Sequence, residues 1–234
     1  MSILNDVGRT SFARTKSHGP PRANRRNGGA AIGGTAKRML DIAIASLALL
    51  LLSPLLLMVA VAIKATSRGP VLFGHTRIGH DGQAFRCLKF RSMVVNGDEV
   101  LDQYLAQNPK EQHVWKTERK LKHDPRVTRL GHVLRAYSVD ELPQILNVLS
   151  GSMSIVGPRP VTRDELKLYG DSVASYLSAR PGITGLWQVS GRSDLGYDER
   201  VSLDVSYVHG WSLKRDLGIV LKTVPVVLGA RGSY

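Results

Sequence analysis

The longest apolar stretch of the chain, residues 39–64, reads MLDIAIASLALLLLSPLLLMVAVAIK. Its core of about 22 residues is long enough to cross the roughly 30 Å hydrocarbon layer of a bilayer as a helix. A helix in the core of a globular protein rarely runs this long without a polar face, which makes a buried soluble helix the less favoured interpretation. The pattern therefore predicts a helical membrane segment.

Ser53 and Pro54 interrupt this stretch near its middle. A proline inside a helix removes one backbone hydrogen bond and kinks the axis, and in lipid a serine side chain can satisfy the freed carbonyl. Each resulting arm has about 11 residues and is about 16 Å long, roughly half of the hydrocarbon thickness.

The charges that flank the apolar stretch bear on its topology. Lys and Arg outnumber acidic residues eight to one over residues 1–38 and six to one over residues 64–91. Positive charge normally marks the cytoplasmic side of a membrane segment, and here it marks both sides. We therefore predict a re-entrant helical hairpin over residues 37–64 that enters and leaves by the cytoplasmic face, with an ordinary kinked span as the alternative.

The remaining residues, 65–234, are predicted to form one mixed domain. Two β-rich runs near residues 71–77 and 84–90 flank Asp81 and Gly82. An Asp-Gly pair between such runs is a strong signal for a β-hairpin turn. This part of the chain therefore begins with a predicted hairpin.

Helical patterns follow the hairpin. Residues 97–122 are polar and helix-favouring, with Pro109 as a break. Further helices are predicted over residues 130–137, 142–150, 162–178, 197–212 and 215–229, and the Gly-rich residues 180–193 are predicted to be a loop. The last helix is apolar with basic edges, which suits an interfacial amphipathic helix or equally a core helix. The predicted fold class is α+β: a mostly helical, membrane-associated domain with a re-entrant N-terminal helix, a β-hairpin and interfacial amphipathic helices.

Composition narrows the class of partner. The 234 residues carry a formal net charge of +13, which indicates a polyanionic partner such as nucleic acid, anionic lipid or a phosphorylated substrate. Aromatic residues are only 6% of the chain, and single-strand nucleic-acid binders need stacking rings, so nucleic acid is the less favoured partner.

Residues 1–36, rich in Gly, Arg, Ser, Asn and Pro, are predicted to be a disordered basic tail near anionic lipid rather than a signal peptide. The single cysteine, Cys87, fits a reducing cytosolic location.

The most informative polar pair is Asp140-Glu141, within SVDELPQ. Pro143 is tolerated only in the first turn of a helix, so a helix is predicted to begin close to these carboxylates. Unpaired N–H groups and the helix dipole favour ionised carboxylates at that end. Ser138-x-x-Glu141 is also a capping-box pattern, and such a pair can simply start a helix.

Arginines in tight turns surround this pair in the sequence. They lie beside Gly and Pro, where a stiffened backbone suits the planar guanidinium to bidentate phosphate binding. Taken singly, each arginine can equally be a solvated surface charge. The arginines singled out on this basis are Arg126, Arg129, Arg135, Arg159, Arg180 and Arg192.

Three segments together carry a family resemblance. They read LFGHTRIGHDGQAFRCLKFRSM, DPRVTRLGHVLRAYSVDELPQILNVLSGSMSIVGPRP and RPGITGLWQVSGRSD. The chain from about Lys37 to Tyr234 resembles the bacterial sugar transferases, the small monotopic polyprenyl-phosphate phosphoglycosyl transferases of the exopolysaccharide-initiating type. The resemblance also covers KRMLD at residues 37–41 and the Ser53-Pro54 break, which in that family belongs to a re-entrant membrane helix.

The resemblance implies a reaction and a location. The expected activity is transfer of a sugar-1-phosphate from a UDP-hexose to polyprenyl phosphate, with release of UMP. The protein would act on the cytoplasmic face of the bacterial inner membrane, in the inner leaflet, without nucleic acid; a homo-oligomer is left open. Residues 65–234 would be the phosphoglycosyl transferase domain.

The resemblance also assigns roles to residues. Asp140 would be the nucleophile that forms an aspartyl-phosphosugar intermediate, and Asp140 and Glu141 would hold Mg²⁺. The other roles follow from the chemistry rather than from the resemblance. Because the reaction brings anions together, the expected phosphate-binding residues are Arg126, Arg129, Arg135 and Arg159, with Lys89 and Arg91, close to the membrane hairpin, facing lipid phosphates or the lipid-borne acceptor. The expected nucleotide-binding residues are Arg180, Gly185, Trp187, Gln188 and Arg192. The chain departs from the family pattern at Val139, where Leu is usual, and at Ser152, where Asp is usual, so a charge at position 152 is absent.

Two other functions remain compatible with the sequence. A membrane-tethered basic protein that binds nucleic acid or anionic lipid would explain the charge, but not the proline-restricted carboxylate pair. A transferase that delivers the sugar alone would leave both phosphates on the nucleotide, so the released nucleotide distinguishes it.

Overall fold

The computed structural model describes residues 29–118, 121, 123–191 and 195–228. In the described residues the helices are α1 (Gly34–Thr66), α2 (Gly97–Gln107), α3 (Pro109–Glu118), α4 (Arg129–Ala136), α5 (Gln144–Ser150), α6 (Arg163–Lys167), α7 (Val173–Leu177), α8 (Tyr197–His209) and α9 (Leu213–Leu228). The strands are β1 (Leu72–Ile78), β2 (Ala84–Phe90), β3 (Ser154–Val156) and β4 (Gly182–Thr184). The mixture of helices with small sheets agrees with the predicted α+β class.

Helix α1 runs without interruption through Pro54. Pro54 has no N–H to donate to the carbonyl of Leu50, four residues earlier. The Oγ atom of Ser53 donates to that carbonyl at 2.9 Å, which is the compensation expected from the Ser-Pro pair. The structure has one helix here rather than two separate arms. The helix is long and apolar enough to cross a membrane, and only 11% of its apolar window is buried.

One face of α1 packs along the domain over both of its halves. In the first half, Ala45 packs with Ile145 and Met153 in a core cluster. In the second half, Val59 and Ile63 belong to a cluster with Phe90 and Leu134. The other face is exposed and apolar, and includes Leu47, Leu50, Leu51, Leu57, Met58 and Val61. Both ends of the helix therefore lie beside the same domain.

Buried polar contacts fix the beginning of α1. Lys37 Nζ lies 2.6 Å from Asp216 of α9, and both side chains are almost fully buried. Asp41 accepts hydrogen bonds from the Ser154 hydroxyl and the Ile155 backbone N–H. These contacts join α1 to α9 and β3.

The described part of the chain starts before the predicted membrane segment. Ala31 is buried, and the Ile32 N–H donates to the carbonyl of Ser178. Residues 31–36 are thus packed against the domain or part of α1, whereas the sequence predicted a tail up to residue 36. The rest of that predicted tail, residues 1–28, lies outside the described residues.

The β-hairpin is confirmed. Strands β1 and β2 are antiparallel, and Arg77 pairs with Phe85 and His75 with Cys87. Asp81 has a φ of 56° and Gly82 a φ of 72°, the left-handed conformations that an Asp-Gly turn provides. Cross-strand partners share a face of the hairpin.

Two segments differ from the pattern-based prediction. Residues 162–178 form two short helices rather than one, because Gly170 adopts a left-handed φ of 49° between them. The segment predicted as a Gly-rich loop contains β4, which pairs in parallel with β3. A Cβ atom on Gly182 would lie 2.1 Å from the Gly157 nitrogen. Gly182 therefore allows the backbones of two paired strands to approach closely, and it does not mark a loop.

Candidate active site

Two short helices and a strained turn place the carboxylate pair. Helix α4 is capped by Thr128, whose hydroxyl accepts from the Gly131 N–H at 2.9 Å. After α4, Ser138 takes a left-handed φ of 55° and leads into a 3₁₀ turn over Val139–Glu141. Pro143 then immediately precedes α5. The carboxylates therefore lie just before α5, as the proline position predicted.

The capping-box interpretation of Ser138-x-x-Glu141 is wrong. Within the described residues, the Ser138 side chain makes no cap hydrogen bond. The left-handed backbone at Ser138 is a conformation that non-glycine residues adopt only at a cost. A complete capping box instead occurs at Thr162 and Glu165, at the start of α6.

Asp140 is buried, with 7% of its surface exposed. Burial raises the pKa of the Asp140 carboxyl, and the neighbouring Glu141 charge adds to that effect, while Lys89 and Arg135 oppose it. A backbone hydrogen bond to this carboxylate lowers its pKa, as expected at a helix start, but burial outweighs that effect. Among the described residues, no side chain donates a hydrogen bond to this carboxylate. A carboxylate with little solvation and no such donor is a more reactive nucleophile.

Glu141 has the opposite environment. Its Oε1 lies 2.5 Å from Lys89 Nζ and 3.8 Å from an Arg159 guanidinium nitrogen. Burial would raise its pKa, but Lys89 and Arg159 outweigh burial and lower the pKa to about 2. Because the folded-state pKa is below the ordinary value of 4.5, this group stabilises the fold above about pH 4.5, and its contribution is lost as pH falls toward 2.

A shallow concavity that is open to solvent lies next to Glu141. It contains three cationic side chains, two amides and one carboxylate. These residues are Arg77, Lys89, Arg159, Gln144, Gln188 and Glu141. Arg77 and Gln144 were not predicted from the sequence. The sequence feature that could have identified Arg77 is its position in the predicted hairpin, which puts it on the same face as Lys89.

The other predicted phosphate-binding residues occupy different positions. Arg135 donates from Nε to the Ser92 hydroxyl at 2.8 Å, and its charge acts on Asp140. Arg126 is paired with Asp124 and stacks on Trp115. The structure thus brings Arg135 toward Asp140, whereas Arg126 already has an anionic partner.

Arg91 and Arg129 do not join the concavity. Arg91 is buried and hydrogen-bonds Ser67 at the end of α1. Arg129 is the exposed first residue of α4. Of the six predicted phosphate-binding residues, Lys89 and Arg159 are the two that contact Glu141.

The predicted nucleotide-binding residues also separate. Gln188 lines the concavity and donates from Nε2 to the carbonyl of Ile183 at 3.2 Å. Trp187 is buried, with the guanidinium groups of Arg159 and Arg200 within 5.9 and 4.9 Å of its ring centre. Trp187 therefore packs under the Arg159 and Arg200 side chains and does not line the concavity.

Gly185 and Arg180 have backbone partners. A Cβ atom on Gly185 would lie 2.4 Å from the Gly157 carbonyl oxygen. Arg180 donates to the carbonyl of Gly151, just after α5. Arg192 lies outside the described residues.

The adjacent carboxylates of Asp140 and Glu141 are suited to bind one magnesium ion that a substrate phosphate also coordinates. Within the described residues, no group of three or more His, Cys, Asp and Glu side chains forms a complete protein site. Mg²⁺ commonly uses one or two carboxylates and completes its shell with water and substrate phosphates. Asp140 has no competing side-chain donor among the described residues, and Lys89 pairs with only one Glu141 oxygen, Oε1. The pair therefore fits an ion held jointly with a phosphorylated substrate.

A family model and several known proteins are similar to this chain. Residues 32–230 match the family model described as bacterial sugar transferase. The chain is 55% identical over 203 residues to the exopolysaccharide production protein ExoY of Rhizobium meliloti, covering 87% of this chain and 90% of that one. It is 44% identical over 207 residues to a UDP-glucose:undecaprenyl-phosphate glucose-1-phosphate transferase of Caulobacter vibrioides, covering 85% and 72%. It is 50% identical over 199 residues to the undecaprenyl-phosphate galactose phosphotransferase of Salmonella typhimurium, covering 85% and 41%.

Proposed function

The chain belongs to the bacterial sugar transferase family, and on that premise we propose that it transfers a hexose-1-phosphate from a UDP-sugar to polyprenyl phosphate and releases UMP. The observation that carries the proposal is the buried, hydrogen-bond-poor carboxylate of Asp140 next to the Lys89–Glu141–Arg159 cluster. Two relatives are named for hexose transfer to undecaprenyl phosphate, and ExoY for exopolysaccharide production. The first membrane step of exopolysaccharide synthesis is the corresponding role for this chain.

The reaction proceeds in two displacements at one phosphorus atom. A carboxylate oxygen of Asp140 attacks the β-phosphorus of the UDP-sugar, and the bond from that phosphorus to the bridging oxygen breaks. UMP leaves with the bridging oxygen, and the sugar phosphate remains as an acyl phosphate on Asp140. A phosphate oxygen of the polyprenyl phosphate then attacks the same phosphorus and returns the carboxylate.

Both displacements bring anions together. Two unit charges at 4 Å repel by about 4 kcal/mol at an effective dielectric constant near 20. Lys89 and Arg159 are positioned by Glu141 to offset part of this repulsion, and Arg135 acts from the side of Asp140. Asp140 and Glu141 would hold Mg²⁺, which supplies further charge neutralisation at the diphosphate when it is bound.

The packing of α1 supports a monotopic arrangement, and the basic residues on both of its flanks support the cytoplasmic face. Both halves of the helix contact the same domain. A perpendicular crossing would carry the non-helical backbone of that domain into hydrocarbon, where it is not tolerated. A bend of the helix axis at Pro54 would let α1 enter and leave the inner leaflet on the same side. The domain would then stay at headgroup level, where a cytosolic donor and a lipid-borne phosphate can meet.

The released nucleotide tests the proposed function. Purified full-length protein, polyprenyl phosphate and a panel of radiolabelled UDP-hexoses should give UMP and a lipid-linked hexose phosphate with at least one donor. Chelation with EDTA should stop the release, and added Mg²⁺ should restore it. Release of UDP would instead show transfer of the sugar alone. Salt-sensitive nucleic-acid binding without turnover of any donor would favour the non-catalytic alternative.

Cysteine labelling tests the topology of α1. Gly29→Cys and Arg68→Cys place thiols just outside the two ends of the helix, and the native Cys87 is buried. We expect a membrane-impermeant maleimide to label both variants in inside-out vesicles and neither in intact cells, with permeabilised cells as the positive control. Labelling of either end in intact cells would contradict the re-entrant arrangement and favour a single crossing.

A further inference from the structure

Arg77 is a cation of the concavity to which no role has been assigned. It lies on β1 opposite Phe85, and the register puts it on the hairpin face that also carries Cys87 and Lys89. Its side chain is 20% exposed and lines the same space as Glu141 and Arg159. Arg77 is therefore in reach of whatever anion occupies that space.

The position of this guanidinium is fixed from the opposite side. Nη1 of Arg77 lies 2.7 Å from Oε2 of Glu165. The same Glu165 oxygen accepts the Thr162 N–H at 2.6 Å, and the Glu165 N–H donates to the Thr162 hydroxyl at 3.2 Å. The capping box thus holds the carboxylate, and the carboxylate holds one nitrogen of the guanidinium. The guanidinium has further N–H donors beyond Nη1 that can pair with an anion.

The cations lie at different places along the hairpin. Lys89 contacts Glu141 directly, and its cross-strand partner is Phe73, four residues before Arg77 on β1. At about 3.3 Å per residue, the Arg77 backbone lies about 13 Å along the strand from that of Lys89. A diphosphate with its β-phosphorus near Lys89 and Asp140 would therefore extend its other phosphate toward Arg77.

We propose that Arg77, held in place by Glu165, binds the donor phosphate that departs with the nucleoside, and thereby stabilises the charge that develops on the leaving group. This inference rests on the proposed function, since it presupposes a UDP-sugar at the site. It makes Arg77 a phosphate-binding residue and Glu165 a positioning residue. The alternative is a purely structural ion pair that joins α6 to β1.

The test compares two arginines of one hairpin. Arg77→Ala removes the proposed contact. Arg86→Ala is the matched control, because Arg86 lies on the opposite face of β2, exposed, and donates to the carbonyl of Gly74. For the full-length protein with polyprenyl phosphate, the measurements are the donor KM, kcat, the inhibition constant of UMP and the thermal unfolding midpoint.

We expect Arg77→Ala to weaken UMP inhibition and raise the donor KM by about 10- to 100-fold, the usual range for loss of a charge-assisted hydrogen bond. Arg86→Ala should change both by less than about twofold, as surface substitutions usually do. Arg77→Lys should recover part of the loss, because lysine restores the positive charge but not the bidentate donors of the guanidinium. Glu165→Gln keeps Arg77 but loosens it, and should weaken UMP inhibition in the same direction by a smaller factor, which gives a second test if Arg77→Ala does not fold.

Three outcomes would overturn the inference. If UMP inhibits the Arg77→Ala and Glu165→Gln variants as strongly as it inhibits Arg86→Ala, the Arg77–Glu165 ion pair is only structural. The proposed function would still stand. If the donor KM rises while UMP inhibition is unchanged, Arg77 contacts the transferred phosphate instead. If the wild-type protein releases no UMP from any UDP-sugar, the proposed function itself fails and the inference falls with it.

Discussion

Replacing Asp140 with asparagine should abolish sugar-phosphate transfer, with a loss of about 10³-fold or more, as expected when a covalent nucleophile is removed. The amide is nearly isosteric but cannot form the acyl phosphate. The fold should not suffer. Burial raises the pKa of Asp140, so the ionised carboxylate weakens folding at pH values above that pKa. The neutral amide removes this penalty, and the free energy of unfolding at neutral pH should stay equal or rise.

Mass spectrometry provides the direct measurement for Asp140. Wild-type protein incubated with a UDP-hexose and no acceptor should carry a hexose-phosphate adduct on Asp140, and Asp140→Asn should carry none. Asp164→Asn is the matched control, because Asp164 is an exposed aspartate of α6, and this variant should form the adduct normally. Full transfer by Asp140→Asn, or an adduct on another residue, would remove the nucleophile assignment.

Replacing Lys37 with alanine should destabilise the protein by about 3–5 kcal/mol, the usual cost of breaking a buried ion pair from one side. Lys37 and Asp216 have side chains only 6% and 3% exposed. Without Lys37, the Asp216 carboxylate keeps hydrogen bonds from Tyr207 and Trp211 but no opposite charge among the described residues. Since this pair joins α1 to α9, the loss should loosen the membrane helix from the domain.

Denaturant unfolding in detergent micelles checks this second prediction. Lys167→Ala is the control, because Lys167 pairs with Asp164 through side chains that are 73% and 90% exposed, and its removal should leave the unfolding midpoint unchanged. A second variant, Lys37→Ala with Asp216→Asn, should recover part of the lost stability, since no buried charge is then left alone. A loss below about 1 kcal/mol in Lys37→Ala would contradict the assignment of this pair as a buried anchor.

Several features were predictable because they depend on neighbouring residues only. Asp81-Gly82 sets the hairpin turn, and the Ser53 hydroxyl serves the carbonyl freed by Pro54. The position of the carboxylate pair followed from Pro143. In each case a backbone restriction of one residue type acts within four positions along the chain.

Long-range contacts explain what the patterns missed. The pairing of β3 with β4 joins segments about 28 residues apart, and the glycines that permit it look the same as loop glycines in sequence. Likewise, arginines in Gly/Pro turns are alike in sequence. Only the packing separates Arg159, which faces Glu141, from Arg126, which is paired with Asp124.

The sequence by itself determined the long apolar helix, the hairpin and the family, because these depend on composition, period and contiguous motifs. The tertiary structure decided how the two adjacent carboxylates differ. Burial raises the pKa of Asp140, while Lys89 and Arg159 lower that of Glu141. Adjacent residues share their place in the sequence but not their neighbours in space, and a carboxyl group titrates according to the charges and solvent around it.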